Sequence, residues 1–447
     1  MLKKVLVANR GEIAVRIIRA CREMGIRTVA IYSEADEKAM HTKLADEAIC
    51  IGPANSSKSY LNIKNIIEAA CITHADSIHP GFGFLSENSK FAKICEESGI
   101  KFIGPSSEVI DLMGNKSNAK KLMKSAGVPV IPGSDGALKN LEEAKKIAGK
   151  IGYPIMLKAS NGGGGKGIRL VQNEKELEDA YGIVKQEAKV SFGEDELYME
   201  KFIANPRHIE IQILADQCGN SVYLGERDCT MQRRNQKVLE ESPSAIVDNK
   251  LREKMGETAL KAVKAAKYTN AGTVEFLVDK DKNFYFMEMN TRIQVEHPVT
   301  EWVTGIDIVK EQIKIASGEN LNISQKDIQI KGHSIECRIN AENPEKKFMP
   351  CPGEIKGLLL PGGNGVRVDT AVYNGYTIPP YYDSMIAKII VYAENREEAI
   401  AKMKRALEEC VIDGIDTNID FLLKIINCNE FKEGNYDTSF IGEKLKY

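Results

Sequence analysis

Val5-Leu6-Val7-Ala8-Asn9-Arg10-Gly11-Glu12-Ile13-Ala14 opens a pattern that Ile17, Ile18 and Cys21 continue at helical spacing and Thr28-Val29-Ala30-Ile31-Tyr32 closes. A short apolar run, an amphipathic stretch and a second apolar run predict strand, helix and strand, and therefore a parallel sheet. The turn between Asn9 and Ala14 lacks the glycines of G-x-G-x-x-G, so close approach to a dinucleotide pyrophosphate is not expected. This first unit reads as scaffold.

Further units follow outward from it. A helical stretch over residues 110–126 leads to Pro129 and Pro132-Gly133, whose fixed φ and missing donor mark a linker. Helical character returns over 142–151, followed by the strand Pro154-Ile155-Met156-Leu157-Lys158, a glycine run, and a strand over 168–171. Strand-like alternation fills much of 204–329. Another α/β unit closes the chain, with a strand over 386–392 and a helix opened by Asn395 with Glu398 three residues on, resembling a capping box. The fold class is multidomain, α/β and α+β.

The bulk numbers allow this. At 447 residues, 43% hydrophobic and 28% charged, the chain has room for roughly two to four domains. A formal charge of -2, from 61 basic and 63 acidic residues, gives no global field for nucleic acid or an anionic membrane. Ten cysteines without a C-x-x-C pair or zinc-ligand spacing fit a reduced compartment. No apolar run approaches the ~20 residues of a membrane span, and the one after Lys3-Lys4 is too short for a signal peptide. A cytoplasmic location is expected, with no membrane partner.

Three constellations carry chemistry. Ser160-Asn161-Gly162-Gly163-Gly164-Gly165-Lys166-Gly167 lies between two strands, where backbone N–H groups without Cβ hindrance can close over phosphates. It is not a Walker loop, because Gly167 follows Lys166, and a flexible linker is the plainer alternative. The second is Glu288-Met289-Asn290-Thr291-Arg292-Ile293-Gln294-Val295-Glu296. In an extended chain Glu288, Asn290, Arg292, Gln294 and Glu296 share one face, either as the wall of a site or as the polar side of an ordinary strand. A hairpin centred on Asp281-Lys282 sets Glu275 opposite Glu288, and paired carboxylates of this kind suit a divalent cation bound with phosphate oxygens. The third is His333 to Asn340, where Ile335, Cys337 and Ile339 form a core face and Glu336, Arg338 and Asn340 the other. Arg338 is left open between a strand salt bridge and an anion ligand. The clusters Met199-Glu200-Lys201, Arg207-His208-Ile209-Glu210 and Arg227 to Lys237 read as solvated or basic surface, with Cys229 as a small packed residue.

Together with Ala8 to Ala14, the strings His79-Pro80-Gly81-Phe82-Gly83-Phe84-Leu85-Ser86-Glu87, Met231-Gln232-Arg233-Arg234 and Glu288 to Pro298 resemble the biotin carboxylases of the ATP-grasp superfamily, along essentially the whole chain. The resemblance implies an N-terminal α/β domain over 1–115, an ATP-grasp domain over 116–330 with a mobile lid at about 131–203, and a biotin carboxylase C-terminal domain over 331–447. It implies ATP- and bicarbonate-dependent carboxylation of biotin through carboxyphosphate, with Mg²⁺ or Mn²⁺. Carried over by position, Lys116, Lys158, Gly162, Gly163, Gly164, Gly165, Glu200, Ile203, His208, Gln232, Asn235, Glu275 and Glu288 would contact ATP. Glu275, Glu288 and Asn290 would hold the metals. Lys237, Arg292, Gln294 and the Val295 backbone would hold bicarbonate, Glu296 would be the base, and Phe82 and Arg338 would face biotin.

Phe82 stands where many relatives have Tyr, Asn235 where a His is common, and Asn161 replaces one glycine of the run. No biotin-accepting Met-Lys-Met site occurs, so a separate carrier protein and carboxyltransferase subunits are expected, with acetyl-CoA (hence fatty acid biosynthesis), pyruvate or another oxoacid as final acceptor. A homodimer is also implied, with Arg19 and Glu23 as interface candidates. The competing reading is another ATP-grasp ligase that hands its acyl phosphate to an amine.

Overall fold

The computed structural model describes residues 1–160, 167–193 and 195–446. Strands Lys4–Val7 and Arg27–Tyr32 are parallel neighbours joined by helix Gly11–Glu23. Val5 and Val7 bury against Ile13, Ile17 and Ile18 of that helix, the residues whose spacing marked it. The sheet has five parallel strands in the spatial order 47–50, 27–32, 4–7, 77–79, 101–102.

Strand order reverses at Lys4–Val7, and loops leaving such a pair diverge to form a crevice at the strands' carboxyl ends. The loop after Val7 carries Asn9 to Gly11, and the loop after His79 carries Pro80 to Glu87. Asn9 Nδ2 donates to the carbonyls of Pro80 and Phe82, both at 2.7 Å, and knits the two loops together. Gly81 sits there at φ 63°. A Cβ at that position would come 2.9 Å from Asn9 Nδ2, so both conformation and space require glycine.

The helical stretch expected over 110–126 is two helices, Ser107–Gly114 and Lys116–Ser125. Asn115 between them is extended, and its side chain accepts from the Asn118 N–H at 3.0 Å. A cap of this kind starts a new helix and places Lys116 at its first position. Beyond it, Ile168–Val171, Ile155–Ala159 and Leu197–Lys201 form an antiparallel sheet backed by helices Leu141–Ile151 and Glu174–Phe192. Their buried residues, among them Ala144, Leu157, Val184 and Met199, make a small core of their own. The glycines 162–165 lie outside the described residues.

The largest element is an antiparallel sheet of eight strands: Phe284–Asn290, Asn270–Val278, Arg207–Ala215, Ser221–Arg233, Gln236–Ser242, His333–Asn340, Met385–Ala393 and Val366–Thr370. It runs unbroken into the last third of the chain, with Leu239 opposite Cys337. There Ile335, Cys337 and Ile339 enter an apolar core with Met403, Leu407 and Phe421 from helices Arg396–Glu409 and Ile419–Asn427, as their alternation predicted. Asn395 caps the first of those helices by accepting from the Glu398 N–H at 2.9 Å.

The opposite face of strand His333–Asn340 is polar but not solvated. Glu336 is fully buried, because helices Gly11–Glu23 and His297–Thr304 lie over this end of the sheet. At the strand's other end Glu241 is buried and accepts from His333 Nε2 (2.8 Å), Arg396 Nε (2.8 Å) and the Tyr436 hydroxyl (2.5 Å). Burial would raise that carboxyl, but His333 and Arg396 hold it far below the usual range. No helix among the described residues is long and apolar enough to cross a membrane.

Candidate active site

Strands Asn270–Val278 and Phe284–Asn290 make the expected hairpin, and Glu275 does face Glu288. The route to that register differs from the expected one. Val278 faces Phe284 and Phe276 faces Phe286, and a bulge beyond Phe276 shifts the ladder by one residue to bring the two glutamates opposite. The turn is organised by Asp279, whose side chain accepts from the N–H groups of Asp281 and Asn283, both at 2.9 Å.

The strand ends at Asn290. Residues 291–296 are not the extended wall that alternation suggested: they bend into helix His297–Thr304, with Glu296 as its N-cap at φ -79°, ψ 6°. Curling nevertheless brings most of the named side chains to one place. Asn290 Nδ2 and Gln294 Nε2 each donate to Glu275 Oε1 at 2.7 Å. Lys237 Nζ lies 3.2 Å from that oxygen and 2.7 Å from Glu296 Oε1, and it is also paired with Glu210. Arg338 Nη2 reaches Glu296 Oε2 at 3.0 Å while its Nε donates to Glu240 at 2.6 Å. Arg292 stands beside them, donating from Nη2 to Asn290 Oδ1 (3.1 Å) and from Nε to Glu87 (3.0 Å). Glu288 remains at the mouth, 3.5 Å from Lys116 Nζ, with its side chain 36% exposed.

Four carboxylates, Glu210, Glu240, Glu275 and Glu296, thus share a buried volume with three cations, Arg227, Lys237 and Arg338. Burial alone would raise the Glu296 carboxyl, but Lys237 and Arg338 hold it well below the usual range. Glu275 is likewise depressed, against its burial, by Lys237 and His208. Glu210 goes the other way. Burial raises it, and the neighbouring Glu275 and Glu296 offset much of what Lys237 contributes.

The stretch from Arg227 to Lys237 is therefore not a basic surface. It is a hairpin whose turn, Arg234-Asn235, has φ of 49° and 63°. Two positive φ values fit a type I′ turn, a conformation Asn tolerates, so exposed Asn235 has a local structural role there. Arg227 is fully buried, donating to Gln212, Glu210, Thr273, Gln294 and Thr300 at 2.6–3.1 Å. His208 and Glu210 are buried as well. Gln232 Nε2, which can only donate, lies 2.6 Å from His208 Nδ1, so the ring's Nε2–H points at Glu275 Oε2, 2.7 Å away.

A second group occupies the small sheet. Glu200, facing Met156 in the ladder and mostly buried, pairs with Lys158 at 2.6 Å and Lys120 at 2.9 Å. Ile203 follows its strand, half-buried, and Phe82 is half-buried against the N-terminal core. Neither touches the carboxylate cluster through a polar contact.

Several contributors escaped the sequence reading. Glu87 accepts from the Thr291 N–H at 3.0 Å as well as from Arg292, so the N-terminal crevice is part of the site and not scaffold alone. Glu240 and Lys120 also went unmarked, while Arg227 was named only as part of a basic surface and is instead buried in the site. Of the unmarked residues only Glu87 had a signal, its place in the His79 to Glu87 string.

As to metal, ligand atoms of His208, Glu210 and Glu275 lie within 4.8 Å of one another, as do those of Glu210, Cys229 and Glu296, but Lys237 already supplies positive charge between them. Glu275 and Glu288, in register with Asn290 beside them, offer the hard oxygen donors that Mg²⁺ takes together with phosphates.

Comparison with known proteins identifies the family this chain resembles. Residues 1–110 match the family model described as biotin carboxylase, N-terminal domain, residues 115–324 the carbamoyl-phosphate synthase L chain ATP-binding domain, and residues 336–443 the biotin carboxylase C-terminal domain. Biotin carboxylase 1 of Bacillus subtilis is 60% identical over 442 residues, 99% of this chain and 98% of that one. The beta-gamma-ATP complex of biotin carboxylase from Campylobacter jejuni superposes with a TM-score of 0.96 at 55% identity, covering 99% of both chains. The biotin carboxylase domain dimer of Hydrogenobacter thermophilus 2-oxoglutarate carboxylase, solved with MgADP, ADP and bicarbonate, gives 0.94 at 54% identity over 99% of this chain and 98% of that one.

Proposed function

The chain belongs to the biotin carboxylase family, and from that premise we propose that it uses ATP to activate bicarbonate and transfers the carboxyl group to biotin on a carrier protein. The observation that carries this reading is the position of Glu296. Its carboxylate stands between Lys237 and Arg338, in the same hydrogen-bonded network as Gln294 and Glu275.

Bicarbonate is a poor nucleophile until it loses its proton. Glu296 is ionised at neutral pH and takes that proton as a bicarbonate oxygen attacks the γ-phosphorus and ADP departs. A carboxyl held so low is a weak base. When Lys237 turns its hydrogen bond from Glu296 to bicarbonate, the carboxyl rises toward the value the transfer needs. Arg292, Gln294 and the Val295 backbone orient the anion, the guanidinium supplying a planar fork for two oxygens. Lys116 and Lys158, with the glycines at 162–165, offset charge on the phosphates. Glu275, Glu288 and Asn290 would hold a divalent metal, which would supply further charge neutralisation there.

The carboxyphosphate so formed breaks down to CO₂ and phosphate. The phosphate accepts the proton from biotin N1, and the nitrogen attacks CO₂. Arg338, whose Nη2 already holds a carboxylate oxygen at 3.0 Å, stabilises the enolate oxygen of the ureido ring, with Phe82 on the biotin side. His208, Gln232, Glu200, Ile203 and Asn235 line the nucleotide. The carrier and carboxyltransferase are separate proteins, and the chain works as a cytoplasmic homodimer. Of the suggested interface pair, Glu23 is already 2.6 Å from Lys310 Nζ within the protomer, which leaves Arg19 as the freer contact.

Purified protein is expected to release ADP from MgATP only when bicarbonate is present, and faster with free biotin added. A coupled assay for ADP reads this directly. ADP release indifferent to bicarbonate sinks the proposal.

A further inference from the structure

The motif Asn9 to Ala14 is only partly accounted for by its contact with the Pro80 loop. Its Glu12 is buried at the start of helix Gly11–Glu23 and lies 3.2 Å from the ammonium of Lys388, a lysine with no exposed side chain. Lys388 Nζ also lies 2.5 Å from the carbonyl oxygen of Val295 and 4.0 Å from Glu336. In the sheet Lys388 is the direct cross-strand partner of Arg338 on one side and of Asp369 on the other. Directly opposed residues project from the same face. Two cations on adjacent strands thus reach up to two consecutive residues, Lys388 to the backbone of Val295 and Arg338 to the carboxylate of Glu296.

We propose that Lys388 is a positioning residue for carboxyl transfer, fixing the Val295 carbonyl from beneath so that Glu296 and the Val295 backbone are aimed at bicarbonate. The peptide group is planar, so holding the Val295 carbonyl also fixes the orientation of the Glu296 N–H and Cα. Arg338 holds the other end of the same residue. Balancing Glu12 and Glu336 would by itself explain a buried cation, but it would not require the ammonium to donate to a backbone carbonyl inside the bend that carries the base. The other anchors of that bend from distant segments hold side chains or its first residue, Glu87 at Thr291 and Arg292, Glu275 and Arg227 at Gln294, and Lys237 and Arg338 at Glu296, whereas Lys388 holds the Val295 backbone carbonyl. Residues 291–296 leave the ladder at Asn290, and Lys388 grips their last peptide just before helix His297–Thr304 begins. Residues Glu12 and Lys388 thereby tie the N-terminal motif to the reaction without either touching a substrate.

The test compares Lys388→Met and Glu12→Gln/Lys388→Met with the full-length wild type. Urea unfolding, calorimetric ADP binding and bicarbonate kinetics are measured on each. Losing a positioning contact is expected to raise the bicarbonate KM, or lower kcat/KM for bicarbonate, about tenfold or more. ADP affinity is expected to stay within about twofold, because none of the proposed nucleotide contacts is moved. Lys388→Met also strands two buried acids and loses stability, whereas the double variant removes one of them and recovers much of it. The bicarbonate defect persisting in the double variant supports positioning. Its recovery along with stability, or normal bicarbonate kinetics in either variant, overturns it. Since the inference rests on Glu296 acting as the base, Glu296→Ala is run in parallel. An active Glu296→Ala sinks that underlying reading, while an inactive one beside normal Lys388 variants sinks only the role given to Lys388.

Discussion

Replacing Glu296 with alanine is expected to lower bicarbonate-dependent ADP release and biotin carboxylation by about 10²–10⁴-fold, the usual worth of a positioned base, while ADP affinity changes by less than about threefold. The asymmetry follows from what the carboxylate touches. Its partners Lys237 and Arg338 each keep another acid, Lys237 with Glu210 and Glu275 and Arg338 with Glu240. No buried cation is orphaned, so the fold tolerates the change. The groups proposed to hold nucleotide, Lys158, Glu200 and His208 among them, make no contact with Glu296 that the substitution removes. Steady-state carboxylation and calorimetry on the same preparation separate the two effects. Loss of nucleotide affinity as large as the loss of rate would assign Glu296 to ATP binding instead.

Lys237→Met is expected to abolish bicarbonate use and also to weaken the fold, by about 3–5 kcal/mol near neutral pH. The side chain is 15% exposed, which favours the lower end of that range. Three carboxylates, Glu210, Glu275 and Glu296, share this one ammonium. In the wild type the Glu275 and Glu296 carboxyls are held below their unfolded values, so their contribution is present above the unfolded pKa and lost as pH falls through the folded one. Without Lys237, Glu275 and Glu296 lose the largest charge that offsets their burial, although His208 and Arg338 remain, and Glu210, already raised by burial, rises further. The contribution of Glu210 is present at low pH and lost as pH rises, so the loss of Lys237 costs more at the higher pH. Urea unfolding of wild type and variant should therefore differ more at pH 8 than at pH 5.5. An equal gap at both pH values would show that the carboxylates do not depend on Lys237 for their charge.

Much of this arrangement was legible in the residues, for local reasons. The spacing of Val5, Val7, Ile13, Ile17 and Ile18 specifies a strand and a helix whose apolar sides must meet. Alternation in His333 to Asn340 sorts Ile335, Cys337 and Ile339 into the core. The facing of Glu275 and Glu288 was also reachable from hairpin pairing, although a bulge and an Asp279-centred turn set the register. What stayed hidden depends on coverage by distant segments. Polar residues such as Glu210, Arg227 and Glu336 look like surface until helices and strands from elsewhere in the chain cover their sheet. Likewise, nothing in Thr291-Arg292-Ile293 announces that the strand stops at Asn290, because the contact that stabilises the bend comes from Glu87. The break at Asn115 did carry a signal, since Asn before a run of helix formers is a cap.

At the centre stands the claim that a deprotonated bicarbonate oxygen attacks the γ-phosphorus beside Glu296. When carboxyphosphate breaks down, the phosphorus keeps that oxygen. The most direct measurement supplies oxygen-18-labelled bicarbonate with MgATP and biotin and analyses the released phosphate by mass spectrometry. Wild-type protein is expected to deliver one labelled oxygen into each phosphate. Phosphate that takes its new oxygen from water, at full turnover, would contradict the attack and with it the role of the Glu296 site.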